Sequence, residues 1–289
     1  MKDDFTSARS ILFTVGEELD GKPLLVMLKE KRVSHRLITK LKRTPMGMTR
    51  NGLPIRTVDV VHSGDIISLA AVNDTHTEPN PTLDIPVVYE DESVVVFDKP
   101  IGVPVHPSYL HQGDTLGNFF AARFPQLTFR PVNRLDRDTS GLCCVAKSAY
   151  AASLLQGSLD KLYSAVVCGA VEEDGVISAP IGRQDGSIIG RTVREDGQPA
   201  VTEYTVMHSG ERYSLLEIKL HNGRTHQIRV HLSHIGFPLA GDSLYGGDCT
   251  DISAQALHCS RLRFVSPHTG GEILLSSPIR EDMAALLRK

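Results

Sequence analysis

The most informative stretch of this sequence is a charged turn that leads into an apolar strand. It reads Pro131-Val132-Asn133-Arg134-Leu135-Asp136-Arg137-Asp138-Thr139-Ser140-Gly141-Leu142. Two arginines flank Asp136, and a carboxylate held among guanidinium groups is suited to act as a nucleophile or as a fixed base. Taken alone, this composition favours a salt-bridged surface turn, because charged loops are common. The rest of the chain has to separate the two interpretations.

Three further segments of distinctive composition accompany this turn. The first is an apolar strand that ends in Lys99-Pro100-Ile101-Gly102, where proline breaks the strand and glycine permits a tight turn. The second is Lys161-Leu162-Tyr163-Ser164-Ala165-Val166, in which the tyrosine taken alone is most often a core residue. The third runs from Asn222 to Gly236 and continues to Gly246, and it contains Arg229 and several histidines.

In this order the four segments resemble the motifs of the RluA-like pseudouridine synthases, a family that isomerises uridine in ribosomal and transfer RNA. The resemblance covers roughly residues 87–265, and Asn133 stands where the family more often has histidine. It implies that Asp136 is the catalytic carboxylate, that Arg229 pairs with it, and that Tyr163 lines the active site as a surface for a flipped base. Arg134 is expected to contact RNA, because arginines near such a site usually bind phosphate.

The implied reaction requires neither a cofactor nor a metal. Isomerisation of uridine breaks the bond between N1 and the ribose and rejoins the base through carbon 5, without redox change or group transfer. His226, His231 and His234 lie close in sequence, but no His-Glu-x-x-His pattern and no partnering cysteine accompanies them. We therefore expect no cofactor and no metal site.

The segment 12–71 reads as a small domain of its own. The patterns predict a strand Ile11–Val15, helices Leu24–Lys31 and His35–Arg43, an Asn51-Gly52 hairpin and a last strand Ile66–Ala70. This order resembles the small RNA-binding domain named after a ribosomal protein, the S-four-like fold, although Arg50 replaces the usual valine before Asn-Gly.

A strong local excess of positive charge marks this small domain. Residues 22–56 contain ten Lys or Arg residues against one acid. In the second helix Arg36, Lys40 and Arg43 share one face, so we expect that face to bind RNA. A solvated surface helix is the alternative interpretation.

Residues 72–84 lack hydrophobic periodicity and read as a linker, followed by one larger domain, 85–289. Short strands with occasional helices predict an α+β fold with a mixed, largely antiparallel sheet. The predicted strands are Val87–Tyr89, Ser93–Phe97, Gly141–Ala146, Lys161–Val167, Val201–Met207 and Tyr213–Leu220. The predicted helices are Thr115–Ala122, Ala149–Gln156 and Thr225–His234.

Composition narrows the cellular setting. The five cysteines are odd in number and contain no CxxC pair, which favours reduced thiols in a cytoplasmic protein over a disulfide framework. The sequence contains no run of eighteen apolar residues, so it predicts no membrane-spanning helix. The net charge of -3 gives no whole-chain signature of nucleic-acid binding, so the local basic segment carries that prediction. We expect a monomer that binds RNA and does not bind a membrane.

The function expected is therefore an RNA pseudouridine synthase, an isomerase, acting on large-subunit ribosomal RNA. Transfer RNA is the alternative substrate. A non-catalytic RNA-binding or ribosome-assembly protein on the same fold is a second alternative, and a nucleoside hydrolase that uses the same aspartate is a third. The non-catalytic alternative predicts that replacing Asp136 leaves the pseudouridine of cellular RNA unchanged. The hydrolase alternative predicts that free uracil is released.

Overall fold

The computed structural model describes residues 10–71 and 77–289. Residues 10–71 form a four-stranded antiparallel sheet, of order β1-β4-β2-β3, with two helices. Along the chain the elements are β1 (Ser10–Thr14), α1 (Leu24–Glu30), α2 (His35–Lys42), β2 (Met48–Arg50), β3 (Leu53–Pro54) and β4 (Ile66–Ala70). Each element lies within one or two residues of its predicted bounds.

Local sequence explains the two sharpest features of this N-terminal unit. The Ser34 hydroxyl accepts a hydrogen bond from the Leu37 amide at 3.2 Å, so the predicted N-cap of α2 is confirmed. Asn51 and Gly52 both have positive φ, 50° and 83°, as the tight turn of a two-residue hairpin requires. Leu37, Ile38 and Leu41 face the buried core of the unit, and this orientation leaves the opposite face of α2 to its basic residues.

Residues 77–289 carry the remaining strands and helices. They are β5 (Val87–Glu90), β6 (Val94–Lys99), α3 (Leu116–Arg123), β7 (Ser140–Ala146), α4 (Ala149–Leu155), β8 (Asp160–Cys168), β9 (Gly175–Ser178), β10 (Ile181–Arg183), β11 (Arg191–Val193), β12 (Val201–His208), β13 (Tyr213–Leu220), α5 (Gln227–His234), β14 (Leu257–Val265), β15 (Glu272–Ser276) and α6 (Glu281–Leu286).

One large sheet organises this part of the chain. Its order is β5-β6-β7-β14-β8-β13-β12-β9, and β15 pairs with the second half of β14. The β7–β14 pair is parallel and the other pairs of the sheet are antiparallel. The predicted α+β class with a mixed, largely antiparallel sheet is thus confirmed.

The elements β9, β10, β11, β14, β15 and α6 were not predicted, and one predicted helix begins later than expected. β14, which lies at the centre of the sheet, was not among the predicted strands, because His258, Ser260 and Arg261 interrupt its apolar pattern. The predicted helix Thr225–His234 begins only at Gln227, since His226 has a left-handed conformation with φ 58°. Of these residues, Leu257 at the start of β14 and His226 line the cleft described below.

The predicted linker is only partly covered by the described residues. Its first five positions after Ala71, residues 72–76, lie outside them. Further along, the carbonyl of Glu78 accepts a hydrogen bond from the Asn118 side chain at 2.7 Å, and the Asn80 amide donates to the Asn118 carbonyl at 3.0 Å. Residues 78–80 are therefore attached to α3.

Gly141 is required where β7 and β14 pair in parallel. Its φ is 104°, and a Cβ at this position would overlap the backbone of Cys259 on β14. The backbones of Gly141 and Cys259 both lie in the centre of the sheet, so neither can move aside at low cost.

We expect Gly141→Ala to lower the free energy of unfolding by about 2–4 kcal/mol, through backbone strain and overpacking together. The matched control is Gly186→Ala, whose φ is 73° but whose Cβ would have open space around it. Thermal or urea unfolding of the two variants measures the difference. Equal stability of both variants would contradict the close approach of β7 and β14.

Candidate active site

A cleft of about 510 Å³ opens at the middle of the large sheet. This volume lies within the range of about 300–1,000 Å³ that is typical of small-molecule sites, so it admits one extruded nucleotide. Its walls come from the turn before β7, the turn between α4 and β8, the first half of β8, the loop after β13 and the start of α5. The side chains and backbone that line the cleft include those of Arg134, Asp136, Gln156, Gly157, Lys161, Tyr163, His226 and Arg229.

The turn that carries Asp136 is fixed from three sides. Leu135 is buried in the main core, and the Thr139 amide closes the turn on the Asp136 carbonyl at 3.1 Å. The Gln255 side chain holds the Thr139 hydroxyl at 2.7 Å. These contacts position the carboxylate before any substrate arrives.

Lys99 supplies a further support for this turn. Its ammonium group is fully buried and donates to the carbonyls of Pro100, Val103 and Arg137, at 2.7, 2.8 and 2.9 Å. Burial lowers the pKa of Lys99 to about 8. The structural role predicted for the Lys99-Pro100 segment therefore consists of joining the end of β6 to the Asp136 turn.

Arg229 joins two carboxylates. Its Nε and Nη2 bind Asp242 at 2.7 and 2.8 Å, while Nη1 donates to Asp136 Oδ2 at 3.2 Å. Burial alone would lower the pKa of Arg229, but the hydrogen bonds and charges of Asp242 and Asp136 raise it above its ordinary value. The Asp242 side chain is 1% exposed and that of Asp136 is 32% exposed, so only Asp136 is open to a ligand.

His226 approaches the same oxygen of Asp136, with Nε2 at 3.7 Å. The Tyr245 hydroxyl lies 2.8 Å from His226 Nδ1 and accepts a hydrogen bond from the Arg191 amide at 3.0 Å. A neutral imidazole that accepts the Tyr245 proton at Nδ1 carries its own hydrogen on Nε2, on the side that faces Asp136. Burial lowers the pKa of His226, which favours this neutral form.

Tyr163 forms part of the floor of the cleft. It lies on β8, opposite Cys259 of β14, and only 6% of its surface is exposed. Burial raises the pKa of its phenol well above the usual value, so the ring is neutral at physiological pH. A neutral aromatic ring at this place offers a stacking surface for a base.

The structure brings the three residues predicted as catalytic into one cleft. Arg134 is exposed at its mouth. The basic residues of α2 are elsewhere: Arg36 and Arg43 are exposed and Lys40 is half-buried, but none of the three lines the cleft. Their predicted binding to RNA concerns a separate surface.

Sequence reasoning assigned no role to Asp242, His226 or Tyr245. All three lie inside the segment quoted from Asn222 to Gly246, but Asp242 and Tyr245 reach Arg229 and His226 only through the chain reversal after α5, and His226 reaches Asp136 from a distant turn. The available signal for Asp242 was an acidic residue that follows Arg229 after a turn containing Gly236 and Gly241, because a buried arginine needs an acidic partner.

The histidines that invited a metal interpretation diverge. His231 is buried, with Nδ1 beside the Thr202 hydroxyl and Nε2 beside the Ala179 carbonyl, both at 2.9 Å. Within residues 10–71 and 77–289 no group of three or more histidine, cysteine or acidic side chains is arranged to hold a metal ion. In the same ranges no helix has the length and apolar character needed to span a bilayer.

Comparison with known proteins identifies the family. The sequence model described as RNA pseudouridylate synthase matches residues 93–234, which include the whole Asp136 turn and Arg229. YjbO of Bacillus subtilis (strain 168), described as an uncharacterized RNA pseudouridine synthase, is 36% identical over 271 residues, covering 90% of this chain and 96% of that protein. The ribosomal large subunit pseudouridine synthase D of Pseudomonas aeruginosa is 38% identical over 264 residues, with 83% and 82% coverage.

Solved structures agree with this match. Human RNA pseudouridylate synthase domain containing 1 superposes with a TM-score of 0.58 and 28% identity, over 70% of this chain and 86% of the human one. Sequence similarity to RNA pseudouridine synthases extends along most of the chain. It includes the segments that form the central cleft and the Asp136–Arg229 pair. The chain belongs to the RluA-like family of RNA pseudouridine synthases and is an isomerase whose substrate is RNA.

Proposed function

We propose that this enzyme converts specific uridines of large-subunit ribosomal RNA to pseudouridine, with Asp136 as the reacting carboxylate. The observation that carries the assignment of Asp136 is its geometry, an accessible carboxylate held by Arg229 in a cleft of nucleotide size. The choice of RNA rests on the Pseudomonas relative, whose name specifies the large ribosomal subunit.

The reaction rearranges bonds within one nucleotide. The N1–C1′ bond breaks, the uracil turns, and a C5–C1′ bond forms, while C5 loses a proton and N1 gains one. Asp136 starts this sequence either by adding to the nucleoside or by removing a ribose proton to give a glycal. Both routes need a charged carboxylate that points into the cleft, and the hydrogen bond from Arg229 Nη1 orients it, while His226 lies beside it at 3.7 Å.

The other site residues receive roles that follow from their positions. Tyr163 supports the flipped uracil, because its buried neutral ring lines the floor of the cleft. Burial raises its pKa and so keeps the phenol protonated, which leaves no phenolate to accept a proton, and we therefore assign Tyr163 stacking rather than proton removal. Arg134 at the mouth contacts the RNA backbone, and the exposed face of α2, with Arg36, Lys40 and Arg43, binds phosphates further away.

Mapping pseudouridine at nucleotide resolution, with and without the gene, tests the substrate. We expect one or a few uridines of large-subunit ribosomal RNA to lose modification in the deletion strain and to regain it with the wild-type gene. Modification lost only from transfer RNA would replace the proposed substrate by the alternative one. A complete pseudouridine map that is unchanged by the deletion would contradict the proposed function.

A further inference from the structure

The floor of the cleft carries a lysine beside the tyrosine described above. Lys161 precedes Tyr163 by two residues on β8, and both residues line the cleft. Side chains alternate along a strand, so these two project from the same face of the sheet. Their Cα atoms are roughly 6–7 Å apart along the strand. The edge of a base that stacks on Tyr163 is therefore within reach of the long, flexible lysine side chain.

The Lys161 ammonium has no acidic partner. Its Nζ donates to the Leu159 carbonyl at 3.3 Å, and among residues 10–71 and 77–289 no carboxylate forms an ion pair with it. An ammonium group has three donor hydrogens, so at least two remain for a ligand. Lys161 is half-buried, and a partly desolvated charge without a counter-charge lowers stability. Such a position suits a residue whose partner arrives with the substrate.

The arginines that line the cleft are compensated or lie farther out. Arg229 binds both Asp136 and Asp242, so its charge is already balanced. Arg134 and Arg224 are exposed, on the loops before β7 and after β13, and suit the phosphates of an RNA strand. Lys161 is thus an uncompensated cation on the floor of the cleft, where the base lies.

Cleavage of the N1–C1′ bond creates a negative charge on that base. The bonding electron pair stays with the uracil, and the charge of the resulting anion is shared by N1, O2 and O4. The Asp136 carboxylate cannot stabilise this anion, because it carries a charge of the same sign. A donor that faces the developing charge lowers the barrier, because it is in position before the bond breaks.

We propose that Lys161 is a catalytic residue that stabilises the uracil anion by donating a hydrogen bond from Nζ to a carbonyl oxygen of the base. The ammonium keeps its proton throughout, while N1 gains a proton and C5 loses one in the later steps. The role is the same whether Asp136 adds to the nucleoside or forms a glycal, because the electron pair stays on the base in both cases. This inference rests on the proposed reaction at Asp136 and on stacking against Tyr163, and it adds the group that receives the leaving charge.

Lys161→Met tests this role, because methionine keeps a long unbranched side chain but has neither charge nor donor hydrogen. We expect the single-turnover rate at saturating enzyme to fall by about 10²-fold, the usual effect of removing one donor that faces a developing charge. RNA affinity should stay within about twofold of wild type, because the base is neutral until the bond breaks. Release of tritium from RNA labelled at uracil C5 measures the rate.

Two further measurements separate catalysis from folding. An apolar side chain in place of a half-buried, unpaired ammonium should leave the melting temperature of Lys161→Met at the wild-type value or above. Lys161→Arg keeps the charge and the donors, so its rate should stay within about tenfold of wild type. A loss in Lys161→Arg as large as that in Lys161→Met would contradict an electrostatic role.

The matched control is Lys219→Met on the neighbouring strand. Lys219 of β13 lies opposite Leu162, so it projects from the other face of the sheet, and its side chain is exposed. Its rate should stay within about twofold of wild type. If Lys161→Met is no slower than Lys219→Met, the proposed role of Lys161 is wrong.

A substrate with a better leaving group distinguishes this role from phosphate binding. The fluorine of 5-fluorouracil withdraws electrons and stabilises the anion, so departure of this base depends less on Lys161. With 5-fluorouridine at the target position, the rate loss caused by Lys161→Met should be at least about fivefold smaller than with uridine. Consumption of 5-fluorouridine, followed after digestion of the RNA to nucleosides, measures it. An equal loss with both bases would overturn the proposal.

Phosphate binding by Lys161 would give a different result. RNA affinity would then fall in Lys161→Met, and the slope of log affinity against log salt would decrease by roughly one, which also overturns the proposal. The experiments use whichever RNA the wild-type enzyme modifies, so a wrong ribosomal assignment is detected separately by the pseudouridine map. A normal rate in Lys161→Met beside an inactive Asp136→Asn would remove only the role of Lys161.

Discussion

Asp136→Asn is expected to abolish pseudouridine formation, with a fall of at least about 10⁴-fold in the single-turnover rate. The asparagine amide keeps the size of the side chain and can still contact Arg229, but it can neither add to the nucleoside nor accept a proton. Release of tritium from RNA labelled at uracil C5 measures the rate, because C5 loses its hydrogen in the reaction. RNA affinity should remain within about threefold of wild type.

Asp138→Asn provides the matched control for this substitution. Asp138 lies in the same turn, two residues away, but its carboxylate pairs with Arg137 on the surface instead of pointing into the cleft. Its rate should stay within about tenfold of wild type. A normal rate in Asp136→Asn would remove the catalytic assignment. Free uracil as the product of the wild-type enzyme would instead indicate hydrolysis.

The elements with a clear local signal could be predicted from the sequence. The Ser34 cap, the Asn51-Gly52 turn and the apolar run Leu142–Ala146 of β7 each depend on short-range chemistry that the residues themselves display. Asp136, Tyr163 and Arg229 could be selected because they lie in segments that resemble one family in order. The sequence alone gives no distance between them.

What escaped prediction depends on contacts between distant segments. The first half of β14 looks polar, yet His258 is buried because its ring binds the hydroxyls of Ser140 and Ser277. Tyr150 looks like a residue of the catalytic core, but it packs into the neighbouring small domain. In both cases at least one partner that stabilises the buried residue, Ser140 for His258 and Phe13 for Tyr150, is more than a hundred residues away.

Arg229 shows the same limit within the site. The resemblance implies its pairing with Asp136, but the structure gives it stronger hydrogen bonds to Asp242, which is almost fully buried. Asp242 fixes the plane of the guanidinium, and one remaining nitrogen then reaches Asp136. The orientation of the Asp136 carboxylate therefore depends on a buried aspartate that contacts it only through Arg229.

Arg229→Lys is expected to lower kcat by about 10²-fold with little change in KM, because a point charge cannot hold both carboxylates in the guanidinium geometry. Lysine keeps a positive charge beside Asp242, which avoids the large destabilisation caused by an unpaired buried charge. The single-turnover rate, the RNA affinity and the melting temperature should be measured together. Arg212→Lys, at a surface arginine that pairs with Asp248 and Asp251, is the control and should leave kcat unchanged.

Asp242→Asn tests whether Arg229 acts through its own support. If Asp242 fixes the guanidinium plane, this substitution should also lower kcat, and the double variant with Arg229→Lys should lose little more than either single one. A merely structural role would lower the melting temperature without lowering the rate of the folded enzyme. Full kcat in Asp242→Asn, beside a large loss in Arg229→Lys, would show that Asp136 is oriented by Arg229 alone.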